Sequence, residues 1–213
     1  MRDLFITGTD TDVGKTVLAA LLTAALDLTY WKPIQTGALA GRGRTDRQAV
    51  LDWAELSEDR TVAETYVFDP PVSPHLAASR NGTRIDLGSI HKPRFEVGRR
   101  LVIEGAGGVL VPINEKNLML DLIGHLDAAA IIATRTTLGT INHTLLTVQA
   151  LREAGSRTVG VVMIGEENTD NRQAIEHYGK VPVVGWIPPL DKIDRAALLE
   201  VFEIHFDRER FNS

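Results

Sequence analysis

Apolar residues along this chain gather in short, nearly unbroken runs: Leu4–Ile6, Leu101–Ile103, Ala128–Ala133, Val159–Ile164 and Val183–Ile187. Runs without polar alternation mark strands buried on both faces, the habit of a parallel sheet covered by helices on each side. Between some of them the spacing changes to a helical one. A helix is predicted from Val17 to Leu28, and another from Ile141 to Glu153 that stops at Gly155, a C-terminal cap. The last predicted helix spans Asp194 to Phe206, with Asp194 as its N-cap. Shorter helices are expected at Asp46–Leu56 and His75–Asn81. Alternating strands and helices predict a three-layer α/β domain around a central, mostly parallel sheet. No repeat or linker divides the chain, so residues 1–213 are expected to form a single domain.

The least regular stretch runs from Gly37 to Arg100. It holds the glycine-rich segment Gly37–Arg44 and the run Asp69-Pro70-Pro71-Val72-Ser73-Pro74-His75, which is expected to escape regular helix. Long irregular insertions of this kind often serve as substrate loops.

Composition narrows the function classes. A chain of 213 residues buries roughly 70% of its unfolded surface, so folding needs no disulfide or structural metal. There is no cysteine, which removes thiolate chemistry and disulfide scaffolds. The N-terminus enters a strand directly, without signal-peptide layout, and no apolar run approaches the ~18 residues of a membrane span. A net charge of −5 offers no broad field for nucleic acid. The expectation is a small cytoplasmic enzyme with no membrane and no nucleic-acid partner.

The chemistry is most legible at Gly8-Thr9-Asp10-Thr11-Asp12-Val13-Gly14-Lys15-Thr16, set between the first apolar run and the first helix. A strand, a glycine-bearing loop, Gly-Lys-Thr and a helix make a holder for polyphosphate. Backbone N–H groups and the helix N-terminus attract the anion, Lys15 reaches the outer phosphates, and the Thr16 hydroxyl suits Mg²⁺. One feature departs from the generic motif: its first glycine belongs at position 9, and here Gly8 comes one residue early.

A second signal is Leu101-Val102-Ile103-Glu104-Gly105-Ala106-Gly107-Gly108, read as an apolar strand that ends in one carboxylate and opens into a glycine-rich loop. Ligands of parallel sheets bind beyond the strands' carboxyl ends, where Gly8 and Glu104 would both lie. Glu104 is therefore a candidate for the nucleotide's magnesium. In Trp31-Lys32-Pro33-Ile34-Gln35-Thr36-Gly37, Lys32 ends a short strand and offers a second ammonium for charge developing during transfer. Asp46 is either an N-cap or a second magnesium carboxylate. Leu138-Gly139-Thr140-Ile141-Asn142-His143 opens a helix whose free N–H groups make either a second anion site or an ordinary loop-to-helix junction.

Together these strings, with Ser73-Pro74-His75, resemble the dethiobiotin synthetase family of P-loop NTPases, in the family's order and near its spacing over roughly residues 3–190. The early glycine is that family's own form. The resemblance implies that ATP, CO₂ and 7,8-diaminononanoate are converted to dethiobiotin, ADP and phosphate through a carbamate and its mixed anhydride with phosphate. It implies that Lys15 and Lys32 neutralise the reacting groups, that Thr16, Asp46 and Glu104 hold Mg²⁺, and that Thr36 lies at the substrate. Asp12, Val13, Gly14, Lys15, Thr16 and Val17 would line the triphosphate, with Glu104, Gly105, Ala106 and Gly107 closing over it. It further implies a homodimer in which Gly139, Thr140, Ile141 and Asn142 of one subunit bind the substrate carboxylate of the other's site.

One departure concerns the base. Many members carry an asparagine after the strand matching Val159–Met163, where its amide reads adenine; here Ile164 and Gly165 stand. Isoleucine supplies no hydrogen bond, so base recognition is expected from backbone near Ile187-Pro188-Pro189, or from Asn168. Two other readings stand against the synthetase: a partitioning-type ATPase switch and a small-molecule kinase. The first favours an extra lysine early in the phosphate loop and a basic surface. The second does not account for Lys32-Pro33 or Gly139–His143.

Overall fold

The computed structural model describes residues 2–38, 43–93 and 99–211. Part of the glycine-rich segment Gly37–Arg44, together with both chain ends, lies outside the described residues. Seven strands form one sheet: β1 (Leu4–Gly8), β2 (Thr29–Trp31), β4 (Thr61–Val62), β6 (Leu101–Gly108), β7 (Ala129–Arg135), β8 (Thr158–Ile164) and β9 (Val183–Ile187). Their order is β4-β2-β6-β1-β7-β8-β9, and every pairing is parallel. Two short strands, β3 (Ile34–Thr36) and β5 (Tyr66–Phe68), pair in parallel apart from this sheet.

Successive residues of a strand point to opposite faces, so each central strand serves two cores. Phe5 joins one core with Ile103, Ile132 and Met163. Leu4 and Ile6 join the other, where Val102, Ile131 and Val162 meet Leu18, Leu21 and Leu22 of helix α1 (Lys15–Ala25) and Leu198 and Phe202 of α7 (Arg195–His205). β1, flanked by β6 and β7, is buried along its whole length. Its carboxyl end therefore presents the phosphate loop from the rigid centre of the sheet.

The remaining helices are α2 (Asp46–Ala54), α3 (Pro74–Arg80), α4 (Met119–His125), α5 (Thr140–Glu153) and α6 (Thr169–Gly179). Asp194 caps α7 as expected, its carboxylate accepting from the Ala197 N–H at 3.0 Å. Gly155 turns the chain after α5 with φ +66°. Helices α4 and α6 and strands β4 and β5 were not expected from the sequence, and three expected elements have other bounds for physical reasons. The first helix ends at Ala25 because Asp27 takes a left-handed conformation, φ +55°. The third helix includes Pro74, which sits at the first helical position, where its missing N–H costs nothing. The third difference, in β6, bears on the site.

Candidate active site

β6 does not end at Glu104. It continues through Gly105, Ala106, Gly107 and Gly108, pairing as far as Gly8↔Gly108. The glycines serve close approach within the strand. A Cβ on Gly105 would lie 2.7 Å from the Phe5 ring, and one on Gly108 would lie 3.1 Å from the Gly8 carbonyl. Glu104 therefore stands inside a strand, 1% exposed, under the phosphate loop.

The loop shows why its glycine comes early. A Cβ at Gly8 would be 2.6 Å from the Asp10 carbonyl and 2.9 Å from Lys15 Nζ, so no larger residue fits. Position 9 instead holds a threonine whose N–H donates to the Ala133 carbonyl at 3.0 Å. Gly14 caps α1 in a left-handed conformation, φ +92°. Lys15 is buried and donates to the Asp10 carbonyl at 2.9 Å. Burial pulls its pKa down, while the Glu104 charge opposes that shift.

Beside the loop lies a charged cluster assembled from four elements. Lys32, immediately after β2, donates to Asp46 Oδ2 at 2.5 Å and to Glu104 Oε1 at 2.9 Å. Thr16, in the first turn of α1, lies 3.2 Å from Asp46 Oδ1 and 3.0 Å from Glu104 Oε1, and its single proton serves one of them at a time. Burial alone would push the Lys32 pKa down, but the Glu104 and Asp46 carboxylates hold it above the usual lysine range. Burial likewise opposes ionisation of Asp46, and the Lys32 ammonium overcomes it, leaving the carboxyl below its ordinary value. The alternatives for Asp46 are now resolved in part. Thr45 is the N-cap, in a capping box with Gln48, and Asp46 is the first helical residue. Its carboxylate is thus released from capping and turned toward Lys32 and Thr16.

Thr16, Asp46 and Glu104 offer hard oxygen donors, the chemistry that suits Mg²⁺. Among the described residues no three His, Cys, Asp or Glu side chains gather.

Sequence reasoning did not single out Tyr30, Arg135 or Thr134. Tyr30 is fully buried in β2, and its hydroxyl donates to Glu104 Oε2 at 2.9 Å. Burial, then the Glu104 charge, raises its pKa well above the usual phenol value. Arg135, at the end of β7, donates to the Thr11 carbonyl at 2.8 Å and pairs with Asp10 at 3.3 Å, holding the loop from the side. A cation closing an otherwise apolar strand was the available signal. Tyr30 carried none, because a tyrosine in a strand reads as core.

An open hollow of about 330 Å³ adjoins the loop, with Asp12, Val13, Gly14, Arg135, Thr136, Thr137, Ile164, Gly165 and Glu166 on its walls. Ile164 packs so closely that a Cβ on Gly14 would lie 2.9 Å from its Cδ1. Ile187 reaches this region through its carbonyl, which accepts from the Gly165 N–H at 3.0 Å; Pro188 and Pro189 follow it. Asn168 is committed elsewhere. Its Oδ1 accepts from Asn171 N–H to cap α6, and its Nδ2 donates to the Thr136 carbonyl.

Thr36 ends β3 and is half-buried, with Gln35 linking it to the cluster: Gln35 Nε2 donates to the Thr36 carbonyl and Gln35 Oε1 accepts from the Asp46 N–H. Gly139 caps α5 with φ +94° and no capping side chain, beside the exposed Leu138 and Asn142, while Thr140 is buried and Ile141 partly so. These α5 residues make no direct bond to the Lys32 cluster among the described residues. Ser73, Pro74 and His75 form a local turn in which Ser73 Oγ meets His75 Nδ1 at 3.1 Å.

A family model described as an AAA domain matches residues 2–197. The chain is 48% identical over 198 residues to the ATP-dependent dethiobiotin synthetase BioD of Paramagnetospirillum magneticum, covering 93% of each. With the BioD of Rhodopseudomonas palustris strain HaA2 it shares 42% identity over 210 residues, 99% of this chain and 96% of the relative. The chain belongs to the ATP-dependent dethiobiotin synthetase family. It is also 46% identical to the biotin biosynthesis bifunctional protein BioCD of Bordetella avium, spanning 92% of this chain but 42% of that longer protein. Among solved structures, apo McdA of Cyanthece superposes with a TM-score of 0.55 at 15% identity, covering 94% of this chain and 90% of that one. A ParA family ATPase of Chlorobium tepidum gives 0.51 at 14%, covering 95% and 91%. These last two likenesses show that the synthetase family member has the P-loop NTPase fold. No helix among the described residues is long and apolar enough to cross a membrane.

Proposed function

We propose that this chain closes the ureido ring of dethiobiotin from 7,8-diaminononanoate, CO₂ and ATP. The observation that carries the reading is the Lys32 ammonium, buried between Asp46 and Glu104 and next to the phosphate-loop hydroxyl of Thr16. A nucleotide switch needs no second buried ammonium at that point. A reaction that brings two anions together does.

One substrate amine takes up CO₂ as a carbamate, whose oxygen attacks the γ-phosphorus as ADP departs. The second amine then attacks the carbonyl carbon of the resulting anhydride. Phosphate leaves with the bonding electrons, the amine gives up its proton, and the ring closes. Lys15 and Lys32 offset the negative charge of carbamate and γ-phosphate, whose repulsion would otherwise keep the reactants apart. Thr16, Asp46 and Glu104 would hold Mg²⁺, which when bound supplies charge neutralisation of the phosphate oxygens. Glu104 to Gly107 form a rigid floor because β6 continues beneath the loop. The protein's part is positioning and electrostatics.

Thr36 is proposed to contact the substrate, which its link to the cluster through Gln35 supports. The start of α5, Gly139 to Asn142, is proposed to receive the substrate carboxylate of a neighbouring subunit in a homodimer; its open N-cap and the exposed Leu138, Asn142 and Leu146 support this. For the base, Ile164 offers only hydrocarbon, so recognition rests on backbone around Gly165 and Ile187 to Pro189.

Phosphate release is expected to depend on both diamine and bicarbonate. Hydrolysis stimulated instead by DNA or a protein partner, with no response to the diamine, would refute this function.

A further inference from the structure

A chain of buried threonine hydroxyls joins the phosphate loop to the start of α5. Thr134, near the end of β7, is 0% exposed. Its hydroxyl oxygen lies 3.2 Å from that of Thr9, 2.7 Å from that of Thr140 and 3.0 Å from that of Thr144. A hydroxyl has one proton to give and two lone pairs to receive with. Thr140 gives its proton to the Arg135 carbonyl at 2.6 Å, so it must accept from Thr134. Thr134 has then spent its own proton, and Thr9 and Thr144 must both donate to it. Every bond in the chain acquires one direction: Thr9 to Thr134, Thr134 to Thr140, Thr140 to the Arg135 carbonyl. Thr134 is saturated, with one proton given and two received.

Beyond Thr134, the start of α5 is held to the sheet by the Thr140 bond to the Arg135 carbonyl. Gly139 caps the helix without a side chain, and a Cβ there would meet nothing within 4 Å. Asn142 and His143 face solvent. Among the described residues, Thr140 and Thr144 supply three side-chain hydrogen bonds that fasten this turn to the sheet, two of them to Thr134 and the third from Thr140 to the Arg135 carbonyl. The loop end differs, because Thr9 is also anchored through its own N–H to the Ala133 carbonyl. Loss of the Thr134 hydroxyl would remove two of the three side-chain ties at the α5 start and one at the phosphate loop, so the α5 start would be loosened more.

We propose that Thr134 is a positioning residue that holds the first turn of α5 in the orientation needed to receive the substrate carboxylate. This rests on the reading that Gly139 to Asn142 bind that carboxylate. Valine copies the shape of threonine without its hydroxyl, and serine keeps the hydroxyl. In the full-length enzyme, Thr134→Val is expected to raise the KM for the diamine about tenfold, the scale of a lost buried hydrogen bond, and to leave the KM for ATP within about twofold. Thr134→Ser is expected to restore the diamine KM. Thr147→Val serves as the control, since the Thr147 hydroxyl only bonds back to the His143 carbonyl within the helix; both KM values should stay as in the wild type.

An unchanged diamine KM in T134V, an equal rise in both KM values, or no rescue by T134S overturns the proposal. Should T134V not fold, Thr144→Val removes one of the two donors to Thr134, and an unchanged diamine KM there overturns it as well. If the wild type releases phosphate without any response to the diamine, the functional reading has failed instead, and the two failures are distinct.

Discussion

The Tyr30 hydroxyl donates to Glu104 Oε2 at 2.9 Å, while Lys32 and Thr16 both lie at Oε1. The carboxylate is thus divided: one oxygen is fixed from behind by the sheet and the other faces the reacting groups. Tyr30→Phe leaves a buried anion short of a donor. We expect a loss of about 1.5–3 kcal/mol in stability, the range for hydrogen bonds to charged groups, measured by urea unfolding. Turnover should fall about tenfold as the carboxylate gains freedom. A variant as stable and as active as the wild type would show that Glu104 needs no such support.

Lys32→Ala should separate binding from chemistry. The phosphate loop keeps Lys15 and its backbone, so calorimetry should find ADP affinity within a few-fold of the wild type. Turnover should drop by at least about 100-fold, the usual cost of losing one well-placed charge donor at a transition state. Turnover unaffected by the change would remove Lys32 from the mechanism.

The Lys32–Asp46 pair also sets a pH dependence of stability, to be read without metal or nucleotide. Asp46 has a folded pKa below its ordinary 3.8, so its contribution is complete above that value and fades as pH falls through the lower one. Lys32 lies above its ordinary 10.5, so its contribution is complete below that value and is lost only at still higher pH. Between about pH 5 and 9 the pair is therefore constant. Asp46→Asn should melt below the wild type at pH 7, and the gap should narrow as pH falls below about 3.8. A gap that widens on acidification would contradict this sign.

Ile164 meets the hollow beside Gly14 with hydrocarbon only. Apolar surfaces discriminate weakly between similar ligands, so GTP and CTP should support turnover within about 100-fold of ATP. Ile164→Asn introduces a donor and an acceptor and should widen the preference for ATP. Strict ATP dependence in the wild type would contradict this weak selectivity and show that the backbone around Gly165 and Ile187 to Pro189 discriminates strongly between bases.

The sequence by itself determined the five strands β1, β6, β7, β8 and β9 and the helices α1, α2, α3, α5 and α7, though not α4 or α6, together with the phosphate loop and its early glycine and the candidate roles of Lys15, Lys32 and Glu104. These were legible because their signals are local: a continuous apolar run, a Gly-Lys-Thr before a helix, a carboxylate closing a run. Only the tertiary structure decided that β6 runs on through its glycines, since their purpose is to let Phe5 and the Gly8 carbonyl come close. It likewise released Asp46 from capping by giving that task to Thr45. Tyr30 and Thr134 were illegible for a related reason. Tyr30 meets Glu104 across 74 residues of chain, and Thr134 meets Thr9 across 125, so their hydroxyls acquire partners only once neighbouring strands are side by side.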